Sequence, residues 1–217
     1  MDEKDERDLQ TAALVLTPLE VAAPFFGPTG VMTAIVVAVF GGVVTQWISR
    51  KAMRRLQEFL EQLQANVNDR MADFEARLSD VEEAEDLAFR ATRAAANSTS
   101  PSQARGLANV LAEGVLGATP DHAKSELLIA VLDGLTLSEI EGLRTLALDA
   151  RDEEAGTGAT AVRVLSRGRV EEVPVAEAVV SRLVGRGLLQ VEPPGFGGFE
   201  VTSLGREALR VLDEGAT

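Results

Sequence analysis

The chain has 217 residues but no cysteine, no tyrosine, one tryptophan and one histidine. Without cysteine, disulfides, thiolate catalysis and the usual structural zinc sites are excluded. His122 alone cannot supply the paired imidazoles of a zincin motif, which leaves only carboxylate-built metal sites open. Aromatic residues make up 4% of the chain, too few for a stacking platform on single-stranded nucleic acid. Positive charge is scarce as well. Lys and Arg number 21 against 34 Asp and Glu, a formal net charge of −13, whereas a general nucleic-acid binder carries a basic field. The sequence holds no nucleophile–base pair, no Gly-rich phosphate cradle and no paired metal-ligand motif. Gly195, Gly197 and Gly198 fall in a hairpin tip, not between a strand and a helix. The expectation is a non-enzyme with no cofactor and no metal. The Ala, Gly, Val and Arg bias fits a GC-rich bacterial genome.

What is present is unevenly distributed. From Val21 to Ile48 there is no charged residue, and Arg50, Lys51, Arg54 and Arg55 follow at once. Pro24 and Pro28 interrupt the first part of this run, so its helical portion is expected from Gly30 to Ile48. Those 19 residues span about 28 Å, enough to cross a hydrocarbon core. Trp47 stands where an indole would occupy the headgroup region, and the positive-inside rule places the C-terminal bulk in the cytoplasm. A cleaved signal peptide is not expected, because the first eight residues are mainly Asp and Glu. Gly30, Ala34, Ala38 and Gly42 recur every fourth residue, a small-residue ridge that lets helices pack closely in a bilayer. Self-association through that face is the expectation. The alternative is a hairpin of residues 9–48 buried in a soluble, cytoplasmic oligomer.

Residues 51–97 contain neither proline nor glycine. Met53, Leu60, Val67, Phe74, Val81 and Ala88 repeat every seven residues, with Leu56 and Leu63 as companions. Arg70 and Arg77 then take the companion positions while Met71 and Leu78 carry the apolar stripe onward. A stripe that drifts in this way predicts one long amphipathic helix, coiled-coil-like near the basic collar. Glu82, Glu83, Glu85 and Asp86 read as its solvated face.

Ser100-Pro101-x-Gln103 predicts a capped helix start, with Ala104, Leu107, Ala108, Leu111 and Val115 buried and a stop near Gly117. Thr119-Pro120 opens the next helix, carrying Leu127, Leu128, Val131 and Leu132. Thr136 and Glu139 form a second capping-box candidate ahead of Ile140, Leu143 and Leu146. Together these predict an antiparallel helical bundle over residues 98–150. The polar stretch 151–160 is a module boundary.

Beyond it, residues 161–165 are read as a short strand. Pro174–Arg186 is read as a helix burying Val175, Val179, Val180, Leu183 and Val184. Leu188–Val191 and Phe199–Val201 form a hairpin, and Thr202 caps a last helix with Leu204, Ala208, Leu209 and Leu212. The phrases Gly187-Leu188 and Thr202-Ser203-Leu204-Gly205 resemble those of winged-helix domains of the MarR and PadR kind. The resemblance covers about a quarter of the chain. It implies a recognition helix on which Arg182 and Arg186 would contact DNA. The same helix carries Glu177, and the hairpin tip Pro193–Gly198 has no basic residue, so few phosphate contacts and weak DNA affinity follow.

The fold expected is mainly α. It comprises an apolar N-terminal helix or hairpin (1–49), a basic collar with a long amphipathic helix (50–97), a helical bundle (98–150) and a small winged-helix-like α+β module (161–217). The function expected is a membrane-attached, self-associating adaptor presenting a cytoplasmic protein-interaction module; in a sharper version it is a membrane-acting defence effector. Its expected partners are membrane lipid, itself and a protein partner of unknown identity. A DNA-binding regulator and a soluble oligomeric scaffold are the alternatives.

Overall fold

A computed structural model describes residues 50–118, 121–149, 160–191 and 198–214. The apolar run with Gly30, Ala34, Ala38, Gly42 and Trp47 lies outside the described residues. So do residues 119–120, most of the 151–160 boundary and most of the hairpin tip. Lys51–Thr217 forms one compact unit. It is mainly helical, with one small antiparallel sheet near the C-terminus.

Residues 50–97 do not make one helix. α1 (Arg50–Val67) ends in a 3-10 turn over Asn68–Arg70, α2 (Met71–Asp80) follows, and α3 (Glu82–Asn97) restarts after Val81, whose backbone is extended. The cause is visible at the two arginines that interrupt the heptads. Arg70 Nη1 donates to the Leu116 carbonyl (2.9 Å) and Arg77 Nη1 to that of Val115 (2.6 Å). Both carbonyls belong to the last turn of α4 (Pro101–Leu116), where helix oxygens lack intrahelical partners and cations are favoured. A straight helix carries its stripe away from a compact core; the two breaks bring Phe74 of α2 and Leu87 and Ala91 of α3 into the core that Leu56, Phe59, Leu63 and Val67 of α1 already enter. The acidic run Glu82, Glu83 and Glu85 is the first turn of α3, where carboxylates complement the helix dipole.

α3, α4 and α5 (His122–Asp133) pack on one another. The Ser100 hydroxyl caps α4 by accepting from Gln103 N (3.2 Å), and Asp121 caps α5 by accepting from Lys124 N (2.9 Å). All five apolar positions expected on α4 are buried. On α5, Leu128, Val131 and Leu132 are buried, but Leu127 is 51% exposed and Ile129 is buried instead. α6 (Leu137–Asp149) begins with the reciprocal box: Thr136 N donates to Glu139 Oε2 (2.6 Å), and Glu139 N to Thr136 Oγ1 (3.3 Å).

Residues 161–165 are helical, not extended. The Thr160 hydroxyl accepts from Arg163 N and starts α7 (Ala161–Ser166), which ends at Arg167 in the left-handed region (φ 49°). A 3-10 turn leads to α8 (Val173–Gly185), then β1 (Leu189–Val191), β2 (Phe199–Val201) and α9 (Ser203–Glu214). The strands pair antiparallel, with Gln190 opposite Glu200. α6 packs against α7, α8, α9 and β2, and α9 lies on α4 and α5 as well. Elements on the two sides of residues 150–159, which lie outside the described residues, are thus in contact.

Candidate interaction surfaces

α8 leaves much of its surface free. It buries Ala176, Val180 and Leu183, while Val175 is 64% and Val184 41% exposed. The register thus differs from the expected one, which buried both valines. Val179 Cγ1 would lie 2.8 Å from a Cβ at Gly142, so the absence of a side chain on α6 is what lets α8 approach. At the far end Gly187 takes a φ of 71°, a conformation glycine adopts without strain. Gly187 N donates to Val184 O and Leu188 N to Leu183 O (both 2.9 Å), which ends the helix and drives Leu188 into the core. Thr202 closes the structure from the other side. Its hydroxyl donates to the Gly187 carbonyl (2.6 Å) and accepts from Gly205 N (3.0 Å). A Cβ at Gly205 would collide with the Leu188 carbonyl oxygen. The two phrases Gly-Leu and Thr-x-x-Gly are thus two halves of one tight junction between α8, β1 and α9.

The outward side of α8 shows Val175, Glu177, Ala178, Ser181, Arg182 and Val184, with Val191 of β1 also exposed. Its exposed charges are one glutamate and one arginine, which cancel. Arg182 is exposed as expected. Arg186 is not offered to solvent in the same way: its Nη2 donates to the Gly134 carbonyl (2.5 Å), and its Nε lies 3.9 Å from Glu139 Oε1. Glu139 is only 1% exposed. A Cβ at Gly134 would occupy the position of the guanidinium.

Arg186 is one end of a buried polar hub that the sequence did not announce. Gln103, fully buried, accepts through Oε1 from Thr99 N (2.8 Å) and the Thr99 hydroxyl (2.9 Å). Its Nε2 donates to the carbonyls of Leu132 and Leu135. The other end is Arg55 of the collar, which ion-pairs with Glu58 (2.8 Å) and donates to the Thr99 carbonyl (3.5 Å). The loops before α4 and α6 are thereby tied to α1 and α8. The structure sorts the collar into two kinds of cation: Arg55 is half-buried and engaged, whereas Arg50, Lys51 and Arg54 are exposed.

A groove of about 420 Å³ between α3 and α5 is lined by Phe89, Ile129 and Ala130 with Asp86, Arg90, Arg93, Glu126 and Asp133 around them; Arg90 bridges Asp86 (2.7 Å) and Glu126 (2.5 Å). On the α4–α5–α9 face, Glu207 accepts from Arg210 (3.0 Å) and pairs with Lys124 (2.7 Å), and Arg210 also reaches Glu113 and Glu214. The hydrogen bond from Arg210, then that from Lys124, holds the Glu207 carboxyl down at about 2. The same contact with Glu207 raises Lys124 above its ordinary value.

His122 sits half-buried in the first turn of α5, with Nδ1 making no hydrogen bond among the described residues. Among the described residues no group of His, Asp and Glu is placed to hold a metal ion, and no helix is long and apolar enough to cross a membrane. Comparison of the chain with protein-family models, with curated proteins and with solved structures finds no match.

Proposed function

We propose that this chain is a membrane-attached adaptor without catalytic activity, which docks a protein partner on the outer face of α8. The observation that carries the docking role is the composition of that face. Two valines, an alanine and a serine are set beside one cancelling pair of charges, Val191 of β1 is exposed as well, and Arg186, which follows the helix, is engaged with the Gly134 carbonyl. Such a surface is suited to apolar contact and poorly suited to a phosphate backbone, which needs several unpaired cations. The order α6–α7–α8–hairpin–α9 supports reading this end as winged-helix-like. That likeness by itself assigns no activity.

Attachment is assigned to the 28 uncharged residues before the collar, with Trp47 and the cations at the interface and the bulk of the chain on the cytoplasmic side. The ridge of Gly30, Ala34, Ala38 and Gly42 would mediate self-association. Fractionation of the untagged full chain tests attachment: recovery in a carbonate-resistant membrane pellet is expected, and complete recovery in the soluble fraction ends the proposal. A photo-crosslinker at Val175 tests the docking role. Crosslinks to a discrete protein are expected, whereas crosslinks to DNA would transfer the module to the regulator alternative, for which exposed Arg182 is the specific support.

A further inference from the structure

We infer that Arg50, Lys51 and Arg54 form a binding surface for anionic phospholipid headgroups, and that Arg55, the fourth cation of the collar, is a fold residue with no part in it. The inference rests on the attachment reading above and narrows it to a lipid class and to three side chains.

The division follows from α1 itself. Leu56, Phe59, Leu60, Leu63 and Val67 are buried and define the inward stripe of the helix. At 3.6 residues per turn, positions 50, 51 and 54 are centred almost opposite that stripe. All three residues are exposed, and none has an ion-pair partner among the described residues. No acidic residue occurs in the first turn of α1. The first carboxylate downstream, Glu58, is held by Arg55 at 2.8 Å, and Glu61 accepts from Gln57 at 2.9 Å. Arg55 is directed elsewhere, toward the Thr99 carbonyl at the polar hub. Three free cations on one side of one turn, in a chain of net charge −13, make a local field opposite in sign to the rest of the molecule. Chain connectivity sets them two to six residues after Ile48, the last apolar residue before the collar. A cation close to an anionic leaflet strengthens binding by about fivefold, so three together give roughly a hundredfold preference for anionic over zwitterionic bilayers at low salt. Salt shortens the reach of this field and should erase most of the preference near 1 M.

The test is flotation of the full chain with limiting amounts of two kinds of vesicle, one of phosphatidylcholine alone and one with about a third phosphatidylserine. The phosphatidylcholine arm reports the apolar segment, and the difference between the arms reports the collar. The wild type should favour the anionic vesicles by roughly a hundredfold. A variant carrying Arg50→Gln, Lys51→Gln and Arg54→Gln should lose that preference while floating equally well with phosphatidylcholine. Arg50→Lys with Arg54→Lys should keep the preference, and Arg55→Gln should keep it while lowering the melting temperature. Equal partitioning of the wild type between the two vesicles overturns the inference and leaves attachment standing. Preference retained in the triple glutamine variant, or lost in Arg55→Gln with the fold intact, overturns the assignment of residues. Failure of the wild type to float with either vesicle removes both readings.

Discussion

α4 and α8 are helices of similar length with opposite destinies. α4 buries eleven of its sixteen residues and touches α2, α3, α5 and α9; α8 buries three of thirteen. Neither contrast is one of hydrophobicity alone, since α8 is the richer in valine. What differs is the placement of small residues. On α4, Gly106 lies against Val211 and Gly114 against Leu87 and Ser125, so neighbours close in from several sides. On α8 the small residues Ala178, Ser181 and Gly185 face outward, and a Cβ at Gly185 would meet nothing within 4 Å. Glycine inside a crowded helix marks close packing; glycine and alanine on an open one leave room for something else. α4 is the spine of the molecule, and α8 is a surface held in place.

The comparison is tested most severely on the spine. Leu111 is fully buried in α4, and Leu111→Ala removes its contacts and leaves a cavity. A loss of about 3 kcal/mol is expected in urea denaturation. A loss below about 1 kcal/mol would mean that α4 is not surrounded as described.

Next in size is the hub that joins the spine to α8. Gln103→Leu keeps the volume but leaves Thr99 N–H and the carbonyls of Leu132 and Leu135 without their partner. A cost of about 2 kcal/mol follows from burying unsatisfied polar groups. Hydrogen exchange should quicken in the 97–100 and 134–136 loops before it does in the α4 helix itself. Uniform acceleration would indicate that the hub is not a distinct joint.

Much of the spine was legible in the sequence, and the hub was not, for a physical reason. Caps are local: Ser100 with Gln103, Thr136 with Glu139 and Thr202 with Gly205 act across three residues, and each caps its helix where expected. Gln103 departs from the reciprocal box only in that its oxygen takes the Thr99 N–H instead of that of Ser100. The hub is non-local, joining positions from 29 to 52 residues apart, so nothing near Arg186 marked it as an inward residue. The breaks at 68–70 and 81 were hidden in the same way. Arginine at a heptad position looks outward-facing until the carbonyls of Val115 and Leu116 are found beside it. The acidic run Glu82, Glu83 and Glu85 is the local signal for a new helix start, and it has the same composition as a solvated flank. At 161–165 a short, mainly apolar stretch fits strand or helix equally, and the Thr160 cap decides it.

A smaller effect is expected where α9 is fastened to α4 and α5. Glu207 titrates at about 2 in the folded chain, below its ordinary value of 4.5, because Arg210 and Lys124 bond its charged form. A depressed carboxylate stabilises the fold above the unfolded value and loses that contribution as pH falls from about 4.5 toward 2. Glu207→Gln should therefore flatten the acid limb of stability between those limits, as measured by unfolding at a series of pH values. Because these groups face water, the difference should shrink in salt. An unchanged acid limb at low salt would place the fastening of α9 in its apolar side alone, in Ala208, Val211 and Leu212.

The smallest expected change bears most directly on the surface role of α8. Val175 is 64% exposed near the start of the helix, so Val175→Ser removes little buried apolar area and breaks no hydrogen bond. Its effect on unfolding should lie within about 0.5 kcal/mol, as for surface substitutions that touch no special feature. Valine is also a modest helix former, so serine brings little change in propensity. A melting temperature lowered by several degrees would mean that the face is already covered within the folded chain, and no docking role could then be assigned to it. If stability is unchanged while crosslinking from Val184, at the other end of the helix, to a protein partner is lost, the valine contributes through binding alone. That pairing of results, a silent fold and an altered contact, is what separates α8 from α4, where every substitution of a buried leucine must register in stability first.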